Sequence, residues 1–238
     1  MSPSSRTFID LSHELRNDRV QIYPGDPPFT SVPFATIPIH GFNVHAISMG
    51  SHTGTHADSP FHWFEGGRTI EQMPLDMFIG RCLVVDLAKK GERDERERIH
   101  WEEVEEYGDQ MGEGVIVLLY TGWSKHWGSP KYYDHPYFDR RVAEEIIARG
   151  VKVIGVDTLS PDETRLSDST GGEGGHVDDF GIHEVVLGAD GVIVENLTNI
   201  GEILVSGWES RKLMVSMVPL KLGGSDGSPV RAYAWHEG

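Results

Sequence analysis

Cysteine is almost missing from this chain: Cys82 stands alone among 238 residues. No intramolecular disulfide can form, and the opening run Met1-Ser-Pro-Ser-Ser-Arg-Thr-Phe-Ile-Asp10 lacks the charged, apolar, small-residue order of an export signal, so a reducing, cytoplasmic setting is expected. An excess of cations is missing as well. Lys and Arg number 21 against 37 Asp and Glu, a formal charge of −16, the opposite of the basic stripe with which proteins displace counterions from phosphate backbones or settle on anionic lipid. Neither nucleic acid nor membrane is an expected partner. Long apolar runs are absent too: the longest, residues 115–120, falls far below the roughly 20 residues that span a bilayer. With no internal repeat and no low-complexity tract to divide it, the chain is expected to form one domain over residues 1–238.

What the chain does contain is a change of rhythm. In the second half, β-prone runs at 115–120, 151–156 and 191–197 alternate with helical patterns at 140–149 and 182–189, the order of parallel crossover units. The first half reads as strands at 7–14, 32–39, 42–51 and 81–88, and the C-terminal part adds 213–222 and 230–235. The expected architecture is an α/β domain with a mixed, curled sheet and helices packed outside. Residues 89–106 are dense in both charge signs and are expected as a solvated loop and helix face. Residues 167–175, Ser-Asp-Ser-Thr-Gly-Gly-Glu-Gly-Gly, are too glycine-rich for a regular element and are expected as a loop, a lid over the neighbourhood of His183.

The segment Ser51-His-Thr-Gly-Thr-His-Ala-Asp-Ser-Pro-Phe-His62 places His52, His56, Asp58 and His62 within eleven residues, all at even positions. In an extended chain they project from one face. At about 3.3 Å per residue, His56 and Asp58 lie roughly 7 Å apart and can share an ion, whereas His52 and His56, roughly 13 Å apart if straight, need a bend that Gly54 can supply. An Asp within reach of both could instead bridge two ions. Imidazole and carboxylate together are a ligand set for zinc, manganese or iron; the plain alternative is a set of polar loop residues satisfied by the backbone. Two further residues are polar in apolar surroundings: Glu195, inside the strand Gly-Val-Ile-Val-Glu-Asn-Leu197, and His183, which opens a short helix. Asp157, at the end of a strand, suits either a turn cap or a catalytic role. Trp63 and Phe64 suit either an apolar substrate pocket or the core.

His52-Thr-Gly-Thr-His-Ala-Asp-Ser-Pro-Phe-His62 resembles the H-x-G-T-H-x-D-x-P-x-H motif of the metal-dependent cyclase or hydrolase family, which includes bacterial kynurenine formamidase and isatin hydrolase. The resemblance extends to Tyr23-Pro-Gly-Asp26, to Gly155-Val-Asp-Thr-Leu-Ser160, to the spacing of His183 and Glu195, and to Asp226-Gly-Ser-Pro-Val-Arg231. It implies a swivelling β/β/α fold, a homodimer or homotetramer, and one or two divalent ions, zinc or manganese. Carried to matching positions, it implies His52, His56, Asp58, His183 and Glu195 as metal ligands and His62 as the acid or base. Residues 123–138 and the loop at 171–175 depart from the family's pattern. The expected reaction is hydrolysis of an aryl formamide such as N-formylkynurenine, since a divalent ion polarises a carbonyl and lowers the pKa of bound water toward about 7. The alternatives are hydrolysis of a cyclic amide or lactone, metal-dependent elimination, and a metal-binding domain without activity.

Overall fold

The computed structural model describes residues 7–164, 181–208 and 212–237. In chain order the strands are β1 (Phe8–Asp10), β2 (Thr30–Ala35), β3 (Val44–Ser48), β4 (His56–Asp58), β5 (Ile79–Asp86), β6 (Arg98–Ile99), β7 (Val115–Tyr120), β8 (Tyr137–Phe138), β9 (Val153–Val156), β10 (Val192–Glu195), β11 (Leu213–Ser216), β12 (Gly227–Pro229) and β13 (Tyr233–His236). The helices are α1 (Ile37–His40), α2 (Trp101–Val104), α3 (Arg140–Ala148), α4 (Gly181–Gly188) and α5 (Ile200–Val205). Among the described residues, nine strands form one sheet in the order β1-β13-β11-β5-β7-β9-β10-β4-β12. The central four, β5, β7, β9 and β10, are parallel, and the flanking strands on both sides are antiparallel.

Alternation along the central strands gives the sheet two cores. Cys82, Val84, Ile116, Leu118, Val192 and Val194 turn to one face, where they meet Ile9, Leu11, Ala57, Val215 and Ala234 from the outer strands. Leu83, Val85, Val117, Leu119, Ile154 and Ile193 turn to the other, against Val142 and Ile146 of α3 and Ile182 and Val186 of α4. Strands buried on both faces read as unbroken apolar runs, which is why β7 is all Val, Ile, Leu and Tyr. The first face is enclosed because the sheet curls. Past β1, Ser12 bridges to Leu197 beyond β10, and the Val230 N–H donates to the Thr55 carbonyl at 2.9 Å. The inside of the curl is crowded at Gly155, where an added Cβ would lie 2.6 Å from Leu197 and 2.8 Å from Leu118.

The α/β class, the parallel centre and the outer helices match the expected architecture. Helix α3 starts where Asp139 accepts the Arg141 N–H, a cap of about 1 kcal/mol, and the chain leaves it through Gly150 at φ +90°. Several local expectations change. The run 32–39 is not one strand: β2 ends at Ala35, and Pro38 sits near the start of α1, where its missing N–H costs nothing. Residues 51–62 are extended only over β4; the backbone bends at Gly54, with φ +66°, and Pro60–His62 form a 3-10 turn. The charge-rich run 89–106 is not wholly solvated, because Ile99, Trp101 and Val104 enter the helix-side core. The glycine-rich lid expected at 167–175 lies outside the described residues.

Candidate metal centre and substrate cavity

β4 is held between β10 and β12, which fixes its side chains by ladders on both edges. Ala57 faces the inner core, so His56 and Asp58 face the other side. Glu195 is directly opposite His56 in the antiparallel pairing, and its Oε2 lies 3.3 Å from His56 Nε2. Helix α4 packs over this face and brings in His183, whose Nε2 is 3.5 Å from Glu195 Oε1 and 3.9 Å from Asp58 Oδ2. His52, on the turn before β4, donates from Nδ1 to Asp58 Oδ1 at 2.6 Å and from Nε2 to Asp226 Oδ2 at 2.8 Å. The bend at Gly54 folds His52 back toward Asp58, across a gap that a straight strand would have left open.

The five residues expected as ligands therefore converge. His52, His56 and Asp58 offer ligand atoms within 4.8 Å of one another, as do Asp58, His183 and Glu195, with Asp58 common to both groups. A third group, His52, His62 and Asp226, lies alongside. His62 joins the cluster through this third group: its Nδ1 approaches Asp226 Oδ2 at 3.3 Å, and its ring lies 4.1 Å from that of His52.

One carboxylate and one carbonyl orient two of the imidazoles. Asp162 accepts from His183 Nδ1 at 2.6 Å and also caps the start of α4, accepting the Ile182 and His183 N–H groups. His56 Nδ1 donates to the Gly54 carbonyl at 2.8 Å, leaving Nε2 to face the cluster. Such outer partners fix ring orientation at metal sites. Three buried atoms of the cluster, His56 Nε2, Asp58 Oδ2 and Glu195 Oε1, have no hydrogen-bond partner. Each costs about 1–3 kcal/mol if left so. All three are nitrogen or oxygen donors aimed at one another, so a divalent cation fits the residues present.

Electrostatics point the same way. Burial alone would lower the imidazoles, but the carboxylates around them prevail: Asp58 and Asp226 push His52 up to about 9, and Asp162 and Glu195 do the same for His183. His56 rises well above its ordinary value beside Asp58 and Glu195. Against burial, His56 and His52 hold Asp58 well below the usual carboxylate range. His52 and His62 hold Asp226 down likewise. Without a metal, protons supply the positive charge that these carboxylates demand.

A cavity of about 410 Å³ opens over the cluster, walled by Tyr23, Pro24, Gly25, Asp26, Trp63, Leu159, Ser160 and Asn196. Of the two aromatics after His62, Trp63 lines it, its ring 5.7 Å from that of His183, while Phe64 packs beside Gly188 at the end of α4. Asp157 caps the loop after β7 rather than the turn that follows its own strand: it accepts from the Thr121 N–H and hydroxyl and from the Gly122 N–H. Asp162 and Asn196 carry roles that the sequence pattern did not single out, and Asp226 entered only through resemblance. Asn196 donates to the Gly54 carbonyl and accepts from Tyr132, tying the bend to the aromatic segment. A usable signal for Asp226 was the glycine after it. Without a Cβ, Gly227 can lie against β4, where a Cβ would come within 2.8 Å of both the Ala57 carbonyl and His52.

The Cyclase family model matches residues 9–163. The chain belongs to the Cyclase family. Within the family, it is 30% identical over 214 residues to kynurenine formamidase of Delftia acidovorans, with 89% of each chain covered. It is 28% identical over 229 residues to kynurenine formamidase of Bacillus thuringiensis subsp. konkukian, covering 94% of this chain and 95% of the relative. Among solved structures, isatin hydrolase A from Labrenzia aggregata bound to benzyl benzoate superposes with a TM-score of 0.82 at 24% identity, covering 97% of this chain and 94% of the other. An isatin hydrolase bound to the product analogue thioisatinate gives a TM-score of 0.81 at 19% identity, with 98% and 93% covered. At those identities the likeness carries the fold of this Cyclase member.

Proposed function

We propose that the chain is a divalent-metal-dependent hydrolase of a non-peptide C–N bond, with an aryl formamide such as N-formylkynurenine as its substrate. The observation that carries the proposal is the sharing of buried Asp58 by two groups that could hold a metal, with three unpartnered ligand atoms, beneath a cavity lined by His52, His56, His183 and Glu195 and walled by an aromatic ring. Kynurenine formamidase relatives matched over nearly the whole chain support the amide.

In this assignment His52, His56 and Asp58 would hold one divalent ion, zinc or manganese, and Asp58, His183 and Glu195 would hold a second where two are bound. When bound, such ions polarise an amide carbonyl and make water nucleophilic near neutral pH. His183 is kept in one ring orientation by Asp162, and His56 by the Gly54 carbonyl. His62 moves the proton. With Nδ1 against Asp226, its other nitrogen is available to protonate the departing amine or to take a proton from water. Trp63 and Tyr23, beside Leu159, receive the aryl group, and burial of that group excludes bulk water. The whole of residues 1–238 serves as one catalytic unit, in the cytoplasm, as a homodimer or homotetramer.

The test is release of formate and arylamine from N-formylkynurenine and formanilide by the metal-loaded protein, with isatin and a lactone run in parallel. Chelation should abolish the activity, and zinc or manganese should restore it. Ring opening of isatin with no action on formanilides would replace the substrate assignment. Activity unchanged after verified metal removal would overturn the metal assignment.

A further inference from the structure

The backbone turns sharply twice beside the cluster, at Gly54 with φ +66° and at Asn196 with φ +57°. Glycine adopts that conformation freely, and asparagine is among the few other residues that do so readily. Each turn is flanked by proposed ligands: Gly54 separates His52 from His56, and Asn196 follows Glu195 at the end of β10. Buried hydrogen bonds join the two turns. Asn196 Nδ2 donates to the Gly54 carbonyl at 3.0 Å, and the Thr55 hydroxyl donates to the Asn196 carbonyl at 2.6 Å. The Asn196 N–H donates to the Thr158 carbonyl at 3.0 Å, anchoring the whole turn to the end of β9. With the bend so held, the rings of His52 and His56 have centres 5.0 Å apart.

The Gly54 carbonyl has two lone pairs, and both are used, one by Asn196 Nδ2 and the other by His56 Nδ1 at 2.8 Å. That sets the direction of every bond behind it. With its NH2 group toward Gly54, Asn196 presents Oδ1 to Tyr132, so the Tyr132 hydroxyl donates, at 2.9 Å. At the other end His56 is held by its Nδ1 proton, and Nε2 is the nitrogen turned to Asp58 and Glu195. Tyr132 is fully buried and is not one of the cavity walls. Its carbonyl accepts from Trp123 Nε1 at 3.2 Å, its N–H donates to the Ser129 carbonyl at 3.1 Å, and the Trp127 ring meets it edge-on at 5.2 Å. The ring fills the aromatic cluster as a phenylalanine would. The hydroxyl has another use, because it answers Asn196 Oδ1, an atom otherwise costly to bury.

We propose that Tyr132 and Asn196 are positioning residues for the metal: the hydroxyl of one and the amide of the other brace the bend at Gly54, and so hold His52 and His56 at the separation a shared ion requires. This assignment rests on the metal centre proposed above and holds whatever the substrate. Its test is zinc affinity of the full chain, measured without substrate by competition with a chromophoric chelator. Tyr132→Phe removes one oxygen and keeps the ring; Asn196→Gly removes the amide and suits φ +57°. Both should keep the wild-type far-ultraviolet circular dichroism. Zinc should bind roughly 10- to 100-fold more weakly to Asn196→Gly, the usual cost of a lost outer partner, and about 10-fold more weakly to Tyr132→Phe, which keeps the amide. Trp123→Phe is the control: it takes away the donor to the Tyr132 carbonyl, outside the bonds that lead to Gly54, and should lower the unfolding midpoint while binding zinc as wild type does. In the zinc-loaded wild type, long-range nitrogen–proton correlation spectra should place the His56 ring proton on Nδ1, exchanging slowly, and Tyr132→Phe should speed that exchange. Wild-type zinc affinity in both variants would overturn the proposal alone. So would a Trp123→Phe protein that loses zinc as readily as Tyr132→Phe, since the effect would then belong to packing. A wild type that takes up no zinc would overturn the metal assignment and this proposal with it. Should the variants fail to fold, the wild-type spectrum decides, and a His56 proton on Nε2 would overturn the brace.

Discussion

Two buried histidines, His135 and His183, show how differently one residue type is used in this molecule. The ring nitrogens of His135 meet the Pro136 carbonyl at 2.9 Å and the Thr164 hydroxyl at 2.8 Å. One donor and one acceptor suit a neutral imidazole, and burial pushes it down to about 4. His183 instead lies among Asp162, Glu195 and Asp58, whose carboxylates outweigh burial and push it up to about 9. The buried carboxylates divide the same way: Asp157 accepts three hydrogen bonds from a loop, whereas Asp58 keeps an oxygen without a partner. Burial of a polar residue does not mark a site. Burial with an excess of negative charge and an unanswered atom does.

The comparison breaks most severely at the shared carboxylate. Asp58→Asn is expected to lose metal from both ligand groups and turnover with it, read by elemental analysis after desalting; full metal content in that variant would remove Asp58 from the ligand set. His62→Asn should keep metal at wild-type stoichiometry while turnover falls roughly 10²- to 10⁴-fold, the usual range for general acid or base catalysis. An activated aryl ester should suffer less than a formanilide, and loss of metal would make His62 a ligand. Asp226→Asn, which loosens His62 and His52 without removing a proposed ligand, should lower turnover by roughly 10- to 100-fold, as outer partners of metal sites do. Wild-type kinetics in that variant would leave Asp226 with a purely structural part.

The two histidine environments also give the metal-free protein opposite pH slopes. His135 lies below its unfolded value of 6.5, so the unfolded chain binds more protons between 6.5 and about 4, and stability falls as pH drops through that window. His183 lies above 6.5; its contribution is complete below 6.5 and is lost as pH rises through about 9. Denaturant titrations of the chelated protein should find greatest stability near neutral pH, falling on both sides. His135→Gln should make the acid limb shallower and leave the alkaline one unchanged, the rest of the acid limb coming from His13, which burial also pushes down to about 4. Since imidazoles must shed protons to bind metal, metal affinity should climb between pH 6.5 and 9, and a flat affinity would contradict the charge assigned to the cluster.

Much of this was legible along the chain. The apolar runs that became β7, β9 and β10, alternating with helical patterns, announced the parallel centre of the sheet, and the density of ligand types between His52 and His62 marked much of the cluster under the cavity. What stayed hidden depended on distance in sequence. His52 meets Asp226 across 174 positions and His183 meets Asp162 across 21, and no local pattern announces such partners. Trp101 was concealed differently: its acidic neighbours made the segment look solvated, although one side of α2 is core. The turn that curls His52 back needed Gly54 to adopt φ +66°, a freedom the sequence permits without dictating its direction.

β4 contributes only three residues, yet ladders on both sides set the spacing of His56 and Asp58. The walls of the cavity are built otherwise: Tyr23–Asp26 form a turn through Gly25 at φ +102°, and Leu159 and Ser160 follow the end of β9. Loops accept substitution more readily than paired strands. A change in the molecule admitted can therefore be written into the walls while the floor keeps its histidines and carboxylates, so that the proposed chemistry and the choice of molecule can vary separately within one sheet.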